Sequence, residues 1–320
     1  MSIKILGTGS YTPPNAVDNN DLSKLVDTNN DWIISRTGIY QRNISMGENT
    51  SELSVKAAKK ALENAGVTSE ELDLIIVATI TPDKFTPSTA CLVQNELDAK
   101  NAFAFDLSAG CTGFIYALSV AEGFMASKKV KKALIIGAEV LSKIIDWNDR
   151  NTCVLFGDGA GAAVIEMDDS KQFYSFCASK GDVNEVLQAD AMPLKNPYTK
   201  SMENHQYITM KGQEVFQFAV GAIRKSVKKV LSDTGLTLED IKYIVPHQAN
   251  ARIIDFVGRK MNYPIEQFFM NLSKNGNTSA ASIPIALDDM FNEGLLEEGD
   301  KIITVGFGGG LTWGAALLEI

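Results

Sequence analysis

The stretch Ala65-Gly-Val-Thr-Ser-Glu-Glu-Leu-Asp-Leu-Ile-Ile-Val77 returns as Thr234-Gly-Leu-Thr-Leu-Glu-Asp-Ile-Lys-Tyr-Ile-Val-Pro246, with the two glycines 169 residues apart. Lys132-Ala-Leu-Ile-Ile-Gly137 matches Lys301-Ile-Ile-Thr-Val-Gly306 at the same separation, and Gly161-Ala-Ala-Val-Ile-Glu166 echoes Gly314-Ala-Ala-Leu-Leu-Glu319. Matches that keep their order argue for two halves built alike. Ser54 to Asn64 carries helical spacing closed by Gly66, and Leu72 to Ala78 is a buried-strand run; Ser226 to Leu231 followed by Ile241 to Val245 repeats that order. Alternation of this kind predicts an α/β fold, with mixed, mostly parallel sheets layered between helices in the order αβαβα. The expected division is residues 1–170 and residues 171–320. The stretch Asp182 to Gln206, rich in Asn, Asp and Pro, reads as a long loop between the halves.

The function classes this leaves open are limited by charge and by cysteine usage. A net charge of −9 argues against a broad nucleic-acid surface. Arg224, Lys225, Lys228 and Lys229 cluster on one predicted helix, where a solvated face explains them. Apolar runs such as Ala133 to Ile136 are strand-sized and too short to span a bilayer. The N-terminus has no basic segment followed by a long apolar core, so no signal peptide is expected. Cys91, Cys111, Cys153 and Cys177 show no C-x-x-C spacing and read as reduced thiols in a cytoplasmic protein, with no metal site.

A second recurrence concerns chemistry. Asp106-Leu-Ser-Ala-Gly-Cys-Thr-Gly-Phe114 is similar in shape to Asn271-Leu-Ser-Lys-Asn-Gly-Asn-Thr-Ser-Ala280. Aligned on their glycines, Gly110 matches Gly276 and Cys111 matches Asn277, so a thiol and a carboxamide are expected at symmetry-related places. Gly110 and Gly113 permit a sharp strand-to-helix turn, and a helix starting at Cys111 would favour its thiolate. Of the two histidines, His205 lies in a polar stretch and reads as a surface residue. His247 follows a strand and precedes a helix, the place where α/β sheets put functional groups. Phe307-Gly-Gly-Gly310 follows the strand Ile302 to Val305; its glycines suit either a tight turn or close approach of backbone N–H groups to a reacting carbonyl.

Together, Gly110-Cys-Thr-Gly113, Pro246-His-Gln-Ala-Asn250, Gly276-Asn-Thr-Ser-Ala280 and Gly306-Phe-Gly-Gly-Gly310 resemble β-ketoacyl-acyl-carrier-protein synthases III. These are chain-initiating condensing enzymes of thiolase-like fold. The resemblance extends from Gly7 to the C-terminus and includes Asp31-Trp-Ile-Ile-Ser-Arg-Thr-Gly-Ile39 and Phe156-Gly-Asp-Gly-Ala-Gly161. It implies that Cys111 takes an acyl group from acyl-CoA. His247 and Asn277 would then bind the thioester oxygen of malonyl-acyl-carrier protein and stabilise the enolate left by decarboxylation. It further implies an oxyanion hole from the N–H groups of Cys111 and Gly309, with Phe307 beside the malonyl carboxylate. Trp32, Arg36, Arg150 and Asn250 would hold CoA, and no cofactor is implied. Arg252 matches a basic position for docking the carrier protein, and because carrier proteins are acidic the cluster it forms with Arg259 and Lys260 is expected to be the docking surface.

Relatives separate in part. Elongating condensing enzymes use a Cys-His-His set where this chain has Asn277, and thiolases carry a second cysteine where it has Phe307. Thr86 stands where relatives often present a phenylalanine from the partner subunit of a homodimer, which implies a roomier primer pocket unless Phe85 fills it. Two other readings are a specialised homologue of secondary metabolism and a catalytically silent acyl-CoA-binding subunit. The second would be marked by a lost nucleophile or donor.

Overall fold

The computed structural model describes residues 2–182, 184–199 and 206–320. Its first sheet contains β1 (Ile3–Tyr11), β2 (Leu74–Ala78), β3 (Phe103–Leu107), β4 (Lys132–Glu139) and β5 (Gly159–Met167), in the order β1-β5-β4-β2-β3. The second contains β6 (Phe173–Ser179), β7 (Tyr243–Pro246), β8 (Lys301–Gly308) and β9 (Thr312–Glu319), in the order β7-β8-β9-β6. The orders agree when β2, β4, β5 and β1 are laid over β7, β8, β9 and β6. Among the described residues the counterpart of β3 is reduced to a single parallel bridge between Ile244 and Phe268.

Within these sheets β2 runs parallel to β3 and β4, and β7 runs parallel to β8; the other pairings are antiparallel. The sheets are therefore mixed, with fewer parallel pairs than expected from the sequence. At β8 the cause is local: only Gly309 to Leu311 joins it to β9, which allows a hairpin but no crossover helix.

The helices of eight residues or more are α1 (Asn30–Thr37), α2 (Thr50–Ala65), α3 (Thr89–Glu96), α4 (Gly113–Ala126), α5 (Gly212–Thr234), α6 (Ala251–Met261) and α7 (Ser282–Asn292). Helix α2 starts with a capping box between Asn49 and Glu52 and ends at Gly66 in left-handed conformation. It packs with α3 on the outer face of the first sheet, while α5 and α6 cover the outer face of the second. Helices α4 and α7 lie between the sheets. Phe114, Ile115 and Leu118 of α4 and Ile283 and Leu287 of α7 share one core with Ile76 of β2 and Ile302 of β8. A helix pressed between two sheets needs apolar residues on nearly all sides, and Gly113-Phe-Ile-Tyr-Ala-Leu118 supplies them. The layers run α-β-α-β-α.

The geometry of the repeat corrects the expected match of Cys111 with Asn277. A 3₁₀ turn, Gly110–Thr112, leads into α4, and a second, Ser279–Ala281, leads into α7. Gly110 and Ser279 both have left-handed backbones, at φ +54° and +50°. These turns lie 169 residues apart, as do Gly66 and Gly235, and Gly137 and Gly306, so the counterpart of Cys111 is Ala280. The glycine of the first turn has no glycine partner because Ser279 holds the left-handed conformation in its place. Its N–H is held by Asn277 Oδ1 at 2.9 Å and its hydroxyl by Glu139 Oε1 at 3.1 Å. The long loop expected between the halves begins after β6, inside the second half, and Leu187–Gln188 within it pairs with Thr209–Met210. His205 lies outside the described residues.

Candidate active site

Cys111 sits in the turn before α4, buried at 9% exposure. The floor beneath it is the end of β8, where a Cβ on Gly308 would stand 2.8 Å from the Cys111 Cβ and 3.1 Å from Sγ. Only glycine fits there. The adjacent turn presses close as well: a Cβ on Gly110 would lie 3.2 Å from the Gly309 carbonyl. Thr312 ties both turns together, its one hydroxyl lying 3.0 Å from Ala109 O and 2.9 Å from Gly309 O and sharing its proton between them. The backbone groups of Cys111 and Gly309 are thereby brought side by side.

Burial pushes the Cys111 thiol up to about 12, and the negative charge of Glu139 pushes it in the same direction. Burial therefore opposes the thiolate that a helix starting at Cys111 favours.

His247 follows β7 and is 1% exposed. Its Nδ1 lies 2.7 Å from Ser282 Oγ, at the start of α7. That oxygen accepts the Gln248 N–H at 3.3 Å, an arrangement that suits a Ser282 proton directed to Nδ1 and a ring hydrogen on Nε2. Burial holds the imidazole down at about 3, so it is neutral at physiological pH. The Phe307 ring meets His247 edge to face, with centroids 5.2 Å apart, and leads directly into Gly308 under the thiol.

Asn277 is fixed through its backbone. Its N–H donates to Leu155 O at 2.8 Å, and its carbonyl accepts from Gly157 N at 3.0 Å. Ser279 N–H takes its Oδ1, so the Nδ2 donors form the free end of the carboxamide. Ser279 and Cys111 line the same cavity, and the turns that carry them pack together, a Cβ on Gly113 standing 3.2 Å from the Ala280 Cβ. Cys111, His247 and Asn277 thus converge through shared neighbours: Phe307 and Gly308 on one side, Ser279 on the other.

Two buried ionic groups escaped the sequence reading. Glu139, at the end of β4, is fully buried and accepts from Thr79 Oγ1 (3.1 Å), Thr81 Oγ1 (2.6 Å), Ile80 N (3.1 Å) and Ser279 Oγ (3.1 Å). Burial raises it to about 7 against these donors. Its signal was a lone acid ending the apolar run Ala133 to Ala138. Arg42 is fully buried and donates to Val17 O, Asn19 Oδ1 and Val154 O. It holds the segment next to Leu155, on which Asn277 hangs, and nothing in its tripeptide Gln-Arg-Asn marked it.

Beside Cys111 opens a cavity of about 670 Å³, whose wall includes Ile80, Leu141, Ile144, Phe156 and Leu187. Phe85 stands at its rim, 76% exposed, whereas Thr86 is exposed and outside the lining. Of the residues expected around CoA, Arg150 stacks on Trp32 at 4.8 Å from the ring centroid. The guanidinium of Arg36 is exposed, and its backbone carbonyl accepts from Asn250 Nδ2 at 3.0 Å. The other end of Asn250 caps α6 by accepting Arg252 N–H at 2.9 Å. Its carboxamide is therefore committed at both ends to joining α1 and α6. Arg252, Arg259 and Lys260 are exposed on α6, with Arg259 paired to Asp255 at 2.6 Å. No helix among the described residues is long and apolar enough to cross a membrane.

Comparisons with known proteins agree with this architecture. Residues 105–181 match the family model for 3-oxoacyl-(acyl-carrier-protein) synthase III, and residues 231–320 match the model for its C-terminal part. The β-ketoacyl-(acyl-carrier-protein) synthase III of Clostridium acetobutylicum is 53% identical, covering 99% of this chain and 98% of that one. That of Clostridium novyi is 54% identical, covering 99% of each. The crystal structure of 3-oxoacyl-(acyl-carrier-protein) synthase III from Aquifex aeolicus VF5 superposes with a TM-score of 0.94 at 48% identity over the full length of both chains.

Five layers with a twofold internal repeat and a buried cysteine at the head of the inner helix define a condensing enzyme of thiolase-like fold. Identity at this level is more specific than the fold. The chain belongs to the 3-oxoacyl-(acyl-carrier-protein) synthase III family.

Proposed function

We propose that this protein condenses an acyl-CoA primer with malonyl-acyl-carrier protein, releasing carbon dioxide and giving 3-oxoacyl-acyl-carrier protein, the initiating step of fatty acid synthesis. The observation that carries this reading is a buried thiol shared between an apolar cavity and two neutral hydrogen-bond donors. Cys111 attacks the thioester of acyl-CoA. The N–H groups of Cys111 and Gly309 stabilise the tetrahedral oxyanion, and the acyl chain enters the cavity. Malonyl-acyl-carrier protein then places its thioester oxygen between His247 Nε2–H and Asn277 Nδ2. Both donors are neutral and fixed, so they favour the enolate as charge grows on that oxygen and require little rearrangement. Phe307 surrounds the malonyl carboxylate with apolar surface, which disfavours the localised charge before carbon dioxide leaves.

Trp32, Arg36 and Arg150 are assigned to the adenine end of CoA. The committed hydrogen bonds of Asn250 favour a supporting role for it there. Arg252 and Lys260 are assigned to the carrier protein, together with Arg259. The cavity supports primers longer than acetyl, and exposed Phe85 at its rim supports a homodimer in which a second copy covers it. The same reading carries a cofactor-free reaction in the cytoplasm and a chain divided at residues 170 and 171, close to the gap between Met167 of β5 and Phe173 of β6.

Incubation with acetyl-CoA followed by mass spectrometry tests the first half-reaction. An acyl adduct is expected on Cys111, and its absence would favour a silent binding subunit. Adding malonyl-acyl-carrier protein is then expected to discharge that adduct into 3-oxoacyl product.

A further inference from the structure

His247 Nδ1 and the Ser282 hydroxyl lie 2.7 Å apart, and one of them must supply the proton between them. Ser282 opens α7 and is 2% exposed, so no solvent competes for that contact. We propose that Ser282 is a positioning residue for His247: its hydroxyl donates to Nδ1 and so keeps the ring hydrogen on Nε2, where the thioester oxygen needs it. This rests on the reading of His247 as a donor to that oxygen.

Counting donors and acceptors decides the direction. Ser282 Oγ accepts the Gln248 N–H at 3.3 Å, and among the described residues its own proton meets no acceptor except Nδ1. A serine in a helix commonly turns its hydroxyl back to the carbonyl four residues earlier. Here that carbonyl belongs to Thr278 and takes the Ala281 N–H instead, at 3.0 Å. With the ring hydrogen on Nδ1, Oγ would accept twice and the serine proton would be left unpaired in a buried site. Nε2 has no hydrogen-bond partner among the described residues in either form, so the serine proton is the difference between them. One stranded buried donor shifts the balance about tenfold to hundredfold toward hydrogen on Nε2.

The surroundings hold the ring where that choice matters. His247 N–H donates to Val305 O at 2.7 Å. The next residue is pinned through its side chain, Gln248 Nε2 donating to Pro246 O at 2.8 Å and Oε1 accepting the Asn271 N–H at 3.0 Å. Phe307 closes on the imidazole edge to face. These contacts fix the backbone and one flank of the ring, and Ser282 alone among the described residues holds a ring nitrogen. Because burial keeps the imidazole neutral, it carries a single ring hydrogen and its place is a real choice. On Nε2 that hydrogen favours an oxygen gaining charge; on Nδ1 it would leave a lone pair toward that oxygen and oppose the enolate.

Nitrogen NMR reads the tautomer directly. The chain has 2 histidines, so ¹⁵N-histidine labelling gives two ring systems, and His205→Gln leaves that of His247 alone. Long-range proton–nitrogen spectra at neutral pH are expected to show a protonated Nε2 and an unprotonated Nδ1. Ser282→Ala is expected to move the Nδ1 resonance toward its protonated position. The same variant should slow decarboxylative condensation about tenfold, less than removal of the donor itself, and keep acetyl transfer to Cys111 within about twofold. Ser282→Thr retains the hydroxyl and is expected to restore both the spectrum and the rate. Hydrogen on Nδ1 in the unsubstituted site overturns the assignment whether or not the variants fold. Wild-type ring resonances in Ser282→Ala, or equal loss of both half-reactions, overturn it as well. If the wild type forms no acetyl adduct, the condensing reading falls, and the ring spectra still decide the role of Ser282.

Discussion

Ser279 donates its backbone N–H to Oδ1 of Asn277 at 2.9 Å, and that bond decides which end of the carboxamide the site receives. An unconstrained asparagine can present either end. Here the oxygen is occupied and the nitrogen is left to donate, which suits a thioester oxygen gaining negative charge.

Replacing Asn277 with alanine is therefore expected to lower decarboxylative condensation about 10²- to 10³-fold while leaving acetyl transfer to Cys111 nearly intact. Separate assays of the two half-reactions check this. Equal loss in both would contradict the role given to Asn277.

His247 makes a prediction about pH and stability. Its folded pKa, about 3, lies below the ordinary value of 6.5. The unfolded chain binds a proton that the folded chain refuses, so stability is complete above 6.5 and falls as pH drops toward 3. Urea unfolding at pH 7.5 and pH 4.5 should show wild type losing about 2–3 kcal/mol relative to His247→Gln. Equal losses in the two proteins would mean that the imbalance does not exist.

Primer choice depends on the cavity beside Cys111. A volume of about 670 Å³ predicts turnover of butyryl-, isobutyryl- and octanoyl-CoA as well as acetyl-CoA. Ile144→Phe should depress octanoyl use more than acetyl use, by about tenfold in relative kcat/KM. Strict preference for acetyl in the wild type would refute the roomy pocket.

Arg42 is expected to matter for folding more than for chemistry. Arg42→Met leaves the carbonyls of Val17 and Val154 and the Asn19 oxygen without their buried donor. The cost should be about 3 kcal/mol in denaturant unfolding. A change below about 0.5 kcal/mol, the scale of an ordinary surface substitution, would show that these groups find other partners.

On α6, exposed Arg252 and ion-paired Arg259 should behave differently. Arg252→Glu is expected to raise KM for malonyl-acyl-carrier protein about tenfold, with the effect weakening in high salt, and to leave acyl-CoA kinetics alone. Arg259→Ala should have a smaller effect. An equal rise in KM for both substrates of the Arg252 variant would place that residue elsewhere.

Much of this architecture was legible in the chain because helices and strands need periodic apolar residues and a duplicated pattern repeats them at a fixed interval. The strand at Leu74–Ala78, the cap at Gly66 and the positions of Cys111, His247 and Asn277 at element ends were all accessible that way. Family motifs then supplied chemistry that periodicity cannot. What the sequence could not settle depended on contacts between distant segments. The register of the repeat, with Ala280 rather than Asn277 opposite Cys111, follows from how α4 and α7 pack between the sheets. The raised thiol, the neutral imidazole and the carboxyl near neutrality follow from the loss of water around each group. Burial is a property of the assembled fold, so no local pattern of residues could have fixed it.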